Sequence, residues 1–212
     1  MTPPRLLYIC ALLMLTTACQ KAKHTQEFDL DEPFRDGDLV LRCGWGAESR
    51  LVTHFSRAMY SHIGILLFDS LKNTWMVVHA VPGEAPQGEP ENLKYEPATE
   101  FFSPLRAQCG AWMRIDCSDE QAARATRYCL AKQQEKTVFD HDYLLQDSTQ
   151  LYCCELVWLA FLREGMDISG GNRHAVPSFC STEYEGIFPS DIENGDKTLF
   201  VNPLKFKCYE KN

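Results

Sequence analysis

The stretch from Ser61 to His79, SHIGILLFDSLKNTWMVVH, decides the fold. Ile63 to Phe68 is a continuous apolar run of strand length, and Thr74 to Val78 is β-branched and aromatic. The tetrad Ser70-Leu71-Lys72-Asn73 between them suits a tight connection, so the two runs read as antiparallel neighbours. His62 opens the first and His79 closes the second. An antiparallel turn brings opposite ends together, which places the two imidazoles side by side.

Working outward, Gly37-Asp38 precedes a short strand at Leu39–Leu41, and Ala47 to Met59 carries Leu51, Val52, Phe55, Ala58 and Met59 at helical spacing. Pro82 to Pro97, rich in Pro, Gly and Glu, reads as a loop bordering a cleft. Ala111 to Asp116 resembles a strand, and Ser118-Asp119-Glu120-Gln121 is a capping box that starts a helix running to about Glu135. A second helix spans Tyr152 to Glu164, apolar through Leu156, Val157, Leu159, Ala160 and Phe161 and ended by Gly165. Thr198 to Val201 supplies a closing strand. The pattern is α+β, with one small antiparallel sheet packed against helices.

Composition narrows the function. The 212 residues carry 29 acidic against 21 basic side chains, a formal net charge of −8. A chain of that balance, without a Lys/Arg cluster, lacks the basic face that nucleic-acid binding needs. Residues 1–19 form a separate unit: Arg5, an apolar run from Leu6 to Leu15, then Thr16-Thr17-Ala18-Cys19. Ten apolar residues are too short to cross ~30 Å of hydrocarbon, so the segment reads as a secretory signal. Its end resembles a bacterial lipoprotein box, in which Cys19 is lipidated and becomes the mature N-terminus. Residues 20–32 then form a flexible tether, and 33–212 the domain. The expected location is the periplasm or the outer membrane, with the membrane reached through the lipid anchor.

Ten cysteines are present, eight of them beyond the signal segment. No Cys-x-x-Cys occurs, and no His/Cys spacing matches a zinc site, so no metal is expected. Adjacent Cys153 and Cys154 are poorly placed to bridge each other, and the pairing of the others stays open. Cys153 falls in the first turn of its helix, where unpaired N–H groups and the macrodipole favour a thiolate. A thiolate nucleophile needs an imidazole within reach and a third group to orient that imidazole. His62 and His79 on a hairpin, facing a helix that begins with a cysteine, supply these parts. Each residue alone has a plain structural reading as a buried cysteine or a core histidine. Cys154, one helical step away, competes with Cys153, and His54, His141 or His174 can take the place of His79.

The motifs in order, Gly37-Asp38-Leu39-Val40, Tyr60-Ser61-His62-Ile63-Gly64-Ile65, Val78-His79-Ala80, Phe139-Asp140, Tyr152-Cys153-Cys154-Glu155-Leu156-Val157-Trp158 and Pro189-Ser190-Asp191-Ile192, resemble the permuted papain-like amidases of the YiiX type. These belong to the NlpC-like superfamily, related to lecithin:retinol acyltransferase. The His motif precedes the Cys motif, the reverse of papain, which implies a circularly permuted papain-like fold. The resemblance implies Cys153 as nucleophile, His62 as general base, His79 as orienting residue and Tyr60 as a donor near the oxyanion. It implies a cysteine amidase or peptidase without cofactor, acting in the cell envelope on a small peptide, aminoacyl or acyl amide. A lipid-acting acyltransferase or esterase, or a catalytically silent binding module, are the alternatives. Glu84, Glu89, Glu91 and Glu96 point to an acidic cleft rim and an amine-bearing substrate, with Gly170 to Cys180 as a second wall.

Overall fold

A computed structural model describes residues 27–145, 148–176 and 184–207. The signal segment and Cys19 lie outside these, as do residues 177–180 of the expected second wall. Along the chain run β1 (Leu39–Cys43), α1 (Ala47–Ser56), β2 (His62–Asp69), β3 (Thr74–His79), β4 (Lys94–Pro97), α2 (Ala98–Phe101), β5 (Cys109–Ile115) and α3 (Asp119–Gln134). They are followed by β6 (Val138–Phe139), β7 (Gln150–Leu151), α4 (Cys153–Leu162), β8 (His174–Val176), β9 (Tyr184–Gly186), α5 (Pro189–Glu193) and β10 (Thr198–Pro203). Six strands form one antiparallel sheet in the order β10-β5-β1-β2-β3-β4, and β6–β7 and β8–β9 are separate pairs. The fold is mixed α+β.

The β2–β3 hairpin forms at its expected place, with Ile65 opposite Val78 and Asp69 opposite Thr74. Asp69 turns the chain by accepting the N–H groups of Leu71 at 3.0 Å and Lys72 at 3.1 Å, and Asn73 adopts a left-handed φ of 51°. Successive strand residues alternate faces. Leu39, Leu41, Ile63, Ile65, Met76, Val78 and Met113 enter the larger core, which α3 and α4 cover. Val40, Leu66, Val77 and Trp112 point the other way, under Phe101, Phe102, Phe28 and Phe34. α3 starts at the expected capping box, where the Gln121 N–H donates to Ser118 Oγ and the Ser118 N–H to Gln121 Oε1. Asp38 of the first motif is fully buried and binds the Arg114 guanidinium through both oxygens at 2.8 Å. That pair ties the start of β1 to β5.

Two expectations are corrected, and one helix that forms as expected lies exposed. The apolar spacing at Ala47–Met59 does make a helix, α1, but no residue of it is buried: Leu51, Phe55 and the following Met59 are 56%, 51% and 63% exposed. No described element packs over that face. The Pro-rich segment is not loop throughout, because Lys94–Pro97 adds an edge strand. Pro97 is tolerated there because it ends the strand, where its missing donor interrupts nothing. Finally, the described part of the expected tether is packed. Phe28 is 4% exposed, with ring centroids 5.6 Å from Phe102 and 4.6 Å from Phe206, and the Asp29 N–H donates to the Lys205 carbonyl at 2.7 Å. One large apolar residue with a matching site outweighs the polar composition around it.

Candidate active site

β2 register carries His62 to the right place. His62 lies opposite Arg42, and counting on along the β2–β3 ladder puts Gly64 opposite His79. Residues 62 and 64 share a face, so the two histidines are diagonal neighbours on one side of the sheet. Gly64 makes the approach possible: a Cβ there would lie 2.6 Å from Val77 Cγ1 and 3.1 Å from His79 Cβ. His62 Nε2 and His79 Nδ1 are 2.8 Å apart, and His79 Nε2 is 3.1 Å from Glu96 Oε1. Glu96 in turn accepts two bonds from Arg106 Nη1, at 2.9 and 2.8 Å. The Phe101 ring stacks on His62 and meets His79 edge-on, which fixes both ring planes.

Cys153 is the first residue of α4, and Tyr152 caps that helix without a side-chain bond. α4 is buried on nearly all sides, through Cys154, Leu156, Val157, Trp158, Ala160 and Phe161, so its N-terminus is anchored. Cys153 is partly exposed, and it and His62 line the same cavity of about 420 Å³. Cys154 is buried in the core, with its sulfur 3.9 Å from that of Cys153.

Proton positions follow from the partners. Burial opposes ionisation of Glu96, but hydrogen bonds from His79 and Arg106 hold its carboxyl well below the usual carboxylate range. An ionised carboxylate only accepts, so His79 Nε2 carries the proton and His79 Nδ1 is a lone pair. His62 Nε2–H must then donate to it, which leaves His62 Nδ1 as the acceptor facing Cys153. Burial pushes both histidines down to about 4, outweighing the opposing pull of Cys153 on His62 and of Glu96 on His79. Both rings are therefore neutral near pH 7, as the tautomer chain requires. The Cys153 thiol is held well below its ordinary value, first by a hydrogen bond from the Cys154 thiol, then by His62 once that ring has taken up the proton, and by the Ile63 N–H, against the cost of burial. Burial and the neighbouring sulfur push Cys154 the opposite way. Cys154 thus keeps its proton and donates it towards Cys153.

The other expected residues are placed differently. Tyr60 is 3% exposed within the core, and burial raises its phenol to about 12; it does not line the cavity. The tyrosine that does is Tyr143, whose hydroxyl donates to Glu48. His54 is exposed on α1, His141 pairs with Glu91 at 2.7 Å, and His174 pairs with Asp191 at 2.6 Å. Two of the four rim glutamates, Glu84 and Glu96, are held in ion pairs. Glu84 binds Arg42 at 2.5 Å and Lys94 at 2.7 Å, and these cations overcome burial to hold its carboxyl down at about 2. Arg42, Lys94 and Arg106 against Glu84 and Glu96 leave the cluster one positive charge. The sequence reading placed Glu96 on the rim, but its bond to His79 was hidden because the segment reads as loop. Lys94 and Glu96 share one face only once β4 is known to exist.

No protein-family model and no curated protein matches the chain. Among solved structures, it is similar to the crystal structure of the metalloprotein yiiX from Escherichia coli O157:H7, with a TM-score of 0.61 over 83% of this chain and 97% of that one, at 17% identity. The chain shares its fold with yiiX. The described residues do not fit a metal site. Among the described residues no group of three or more His, Cys, Asp or Glu is arranged to hold an ion. The donors nearest Cys153 are committed as well, since His62 Nε2 and both nitrogens of His79 are used within the chain to Glu96.

Proposed function

We propose that the protein is a cysteine hydrolase of the permuted papain-like kind, forming a thioester at Cys153 with His62 as base. The single observation that supports this most is the chain Glu96–His79–His62, in which each proton position follows from the next partner, ending at the cavity that Cys153 also lines. In this reading His62 Nδ1 takes the thiol proton as the Cys153 sulfur attacks an amide carbonyl. The resulting imidazolium is supported through His79 by the Glu96 charge. The oxyanion lies at the N-terminus of α4, near the Cys153 N–H. His62 then gives its proton to the leaving amine. A water, deprotonated by His62, opens the thioester and releases acid and free thiol. Tyr60 has no part in this scheme.

The substrate is a small acyl or peptide amide in the cell envelope, reached by export through residues 1–19 with lipidation at Cys19. The net positive cluster behind the cavity favours a carboxylate-bearing amide over the amine-bearing one that the glutamates alone suggest. One observation favours the lipid-acting alternative: Trp45 and Leu105, 43% and 85% exposed, border the same cavity with Val52, a setting that suits an acyl chain. Incubation with N-acyl amino acids, peptide amides and phospholipid vesicles, with hydroxylamine added to capture any thioester as a hydroxamate, tests the reading. Hydroxamate formation lost in Cys153→Ala is expected. Absence of turnover, together with Cys153 alkylation no faster than that of an ordinary thiol, would favour the silent binding module.

A further inference from the structure

A second cysteine pair lies outside the candidate active site. Cys43 ends β1, Cys109 begins β5, and the two are direct cross-strand partners. The Arg42 carbonyl accepts from Ser61 N–H on the β2 side, so the backbone of the next residue, Cys43, turns towards β5. Opposed residues of that kind have Cα atoms about 5.5 Å apart, within the ~4.4–6.8 Å that a disulfide spans. Their Cβ atoms, at ~4.5–5.5 Å, must close by up to about 1 Å to reach the ~3.5–4.5 Å of a disulfide. Both residues sit at strand ends, and each is followed by a glycine, Gly44 or Gly110, so the backbone there can yield. Both side chains are partly exposed, and the Cys43 thiol is held by a weak bond to the Gly44 carbonyl at 3.7 Å.

We infer that Cys43 and Cys109 are a dithiol–disulfide site that straps the rim of the cavity. The rim connection is direct. The Gly44 N–H donates to Ser61 Oγ at 3.2 Å, its carbonyl accepts from Gln108 Nε2 at 2.5 Å, and Gly44, Ser61 and Arg106 all line the cavity. Joining the sulfurs fixes the Gly44–Gly46 exit into α1 against residues 106–109. The oxidant is a disulfide donor such as oxidised glutathione. One protein thiolate attacks the donor disulfide and releases a thiolate, and the second attacks the mixed disulfide and releases the other. Two protein S–H bonds become one S–S bond, while the donor's S–S bond becomes two thiols. Burial raises both protein thiols, so the exchange is slower than reaction at Cys153 and the two events separate in time. Of the other described cysteines, Cys129 and Cys154 are buried, Cys117 follows β5 at its far end from Cys109, and Cys153 belongs to the candidate active site at the start of α4.

The test uses the purified full chain in glutathione buffers of varied oxidation, acid quenching with N-ethylmaleimide, and tryptic peptides separated without reductant. Cys43 falls in Cys43–Arg50 and Cys109 in Ala107–Arg114, each peptide holding one cysteine. The expected product joins these two peptides, lacks two hydrogens against their sum, and disappears with reductant. Cys43→Ser should restore alkylation of Cys109 at least about tenfold under oxidising conditions. Recovery of both cysteines as separate alkylated or glutathionylated peptides at every redox setting would overturn the inference, as would joining of either to another cysteine. The joined peptide in the unaltered chain decides the matter even if the variant fails to fold.

Discussion

Replacing Glu96 with Gln tests the proton chain without any knowledge of the substrate. Glu96 accepts from His79 Nε2 at 3.1 Å and from Arg106 at 2.9 and 2.8 Å, and only its charge forces His79 into the tautomer whose Nδ1 is a lone pair. A Gln amide can face His79 either way. When its NH₂ donates, His79 Nδ1 takes the proton, His62 Nε2 becomes the acceptor, and His62 Nδ1–H points at Cys153 with no lone pair to receive a proton. The lost charge-assisted bond corresponds to roughly 1.5–3 kcal/mol, or roughly 10- to 150-fold in the rate of a step that depends on it. The assay is the second-order rate of Cys153 alkylation by iodoacetamide across pH, read by peptide mass spectrometry. Glu96→Gln should slow it by that factor near pH 7 and move the profile to higher pH, while Glu96→Asp keeps part of the rate. An unchanged rate and profile in a Glu96→Gln protein of unaltered stability would refute the reasoning.

Cys154→Ala removes the donor 3.9 Å from the Cys153 sulfur, and should raise the pH midpoint of the same alkylation profile, slowing it about 2- to 10-fold, with Cys154→Ser closer to the parent. Asp38→Ala leaves Arg114 beside a vacated buried site and should cost about 3–5 kcal/mol in urea unfolding, with little effect on Cys153 reactivity. Stability itself should depend on pH. The two histidines titrate at about 4 when folded and at about 6.5 when unfolded, so between those values the unfolded chain binds more protons. The stabilisation is full above about pH 6.5 and falls as pH drops towards about 4, by up to ~1.4 kcal/mol per unit for each histidine. Urea midpoints of the parent and of His62→Asn/His79→Asn across that window check the slope, which the double variant should flatten.

Much of this arrangement was legible in the sequence, and the exceptions have physical causes. The hairpin was readable because its apolar runs are strand-length and Asp69 and Asn73 carry turn chemistry between them. The helix of Cys153 was readable because its apolar content is continuous. Which of two adjacent cysteines faces the histidines was not, since it depends on how α4 seats on the sheet. Glu96 was read only as part of a cleft rim, and its place beside His79 was not legible, because composition reports a loop where the edge of a sheet imposes a strand. Its pairing with Arg106 is likewise a product of tertiary structure, so counting glutamates could not show that Glu84 and Glu96 are matched by Arg42, Lys94 and Arg106. Spacing predicted α1 correctly but not its exposure, because spacing reports an apolar face without saying what covers it. Tyr60 shows the converse: a residue beside a motif can simply be core.

The central claim is that Cys153 is an activated nucleophile served by His62. Its most direct test is competitive labelling of the folded chain with less than one equivalent of iodoacetamide at about pH 6, where ordinary thiols are almost wholly protonated, followed by peptide mapping of every cysteine. The account predicts label on Cys153 first, with that selectivity lost in His62→Asn. Equal labelling of Cys153 and the partly exposed Cys43, Cys109 and Cys117, or selective labelling that survives His62→Asn unchanged, would contradict it.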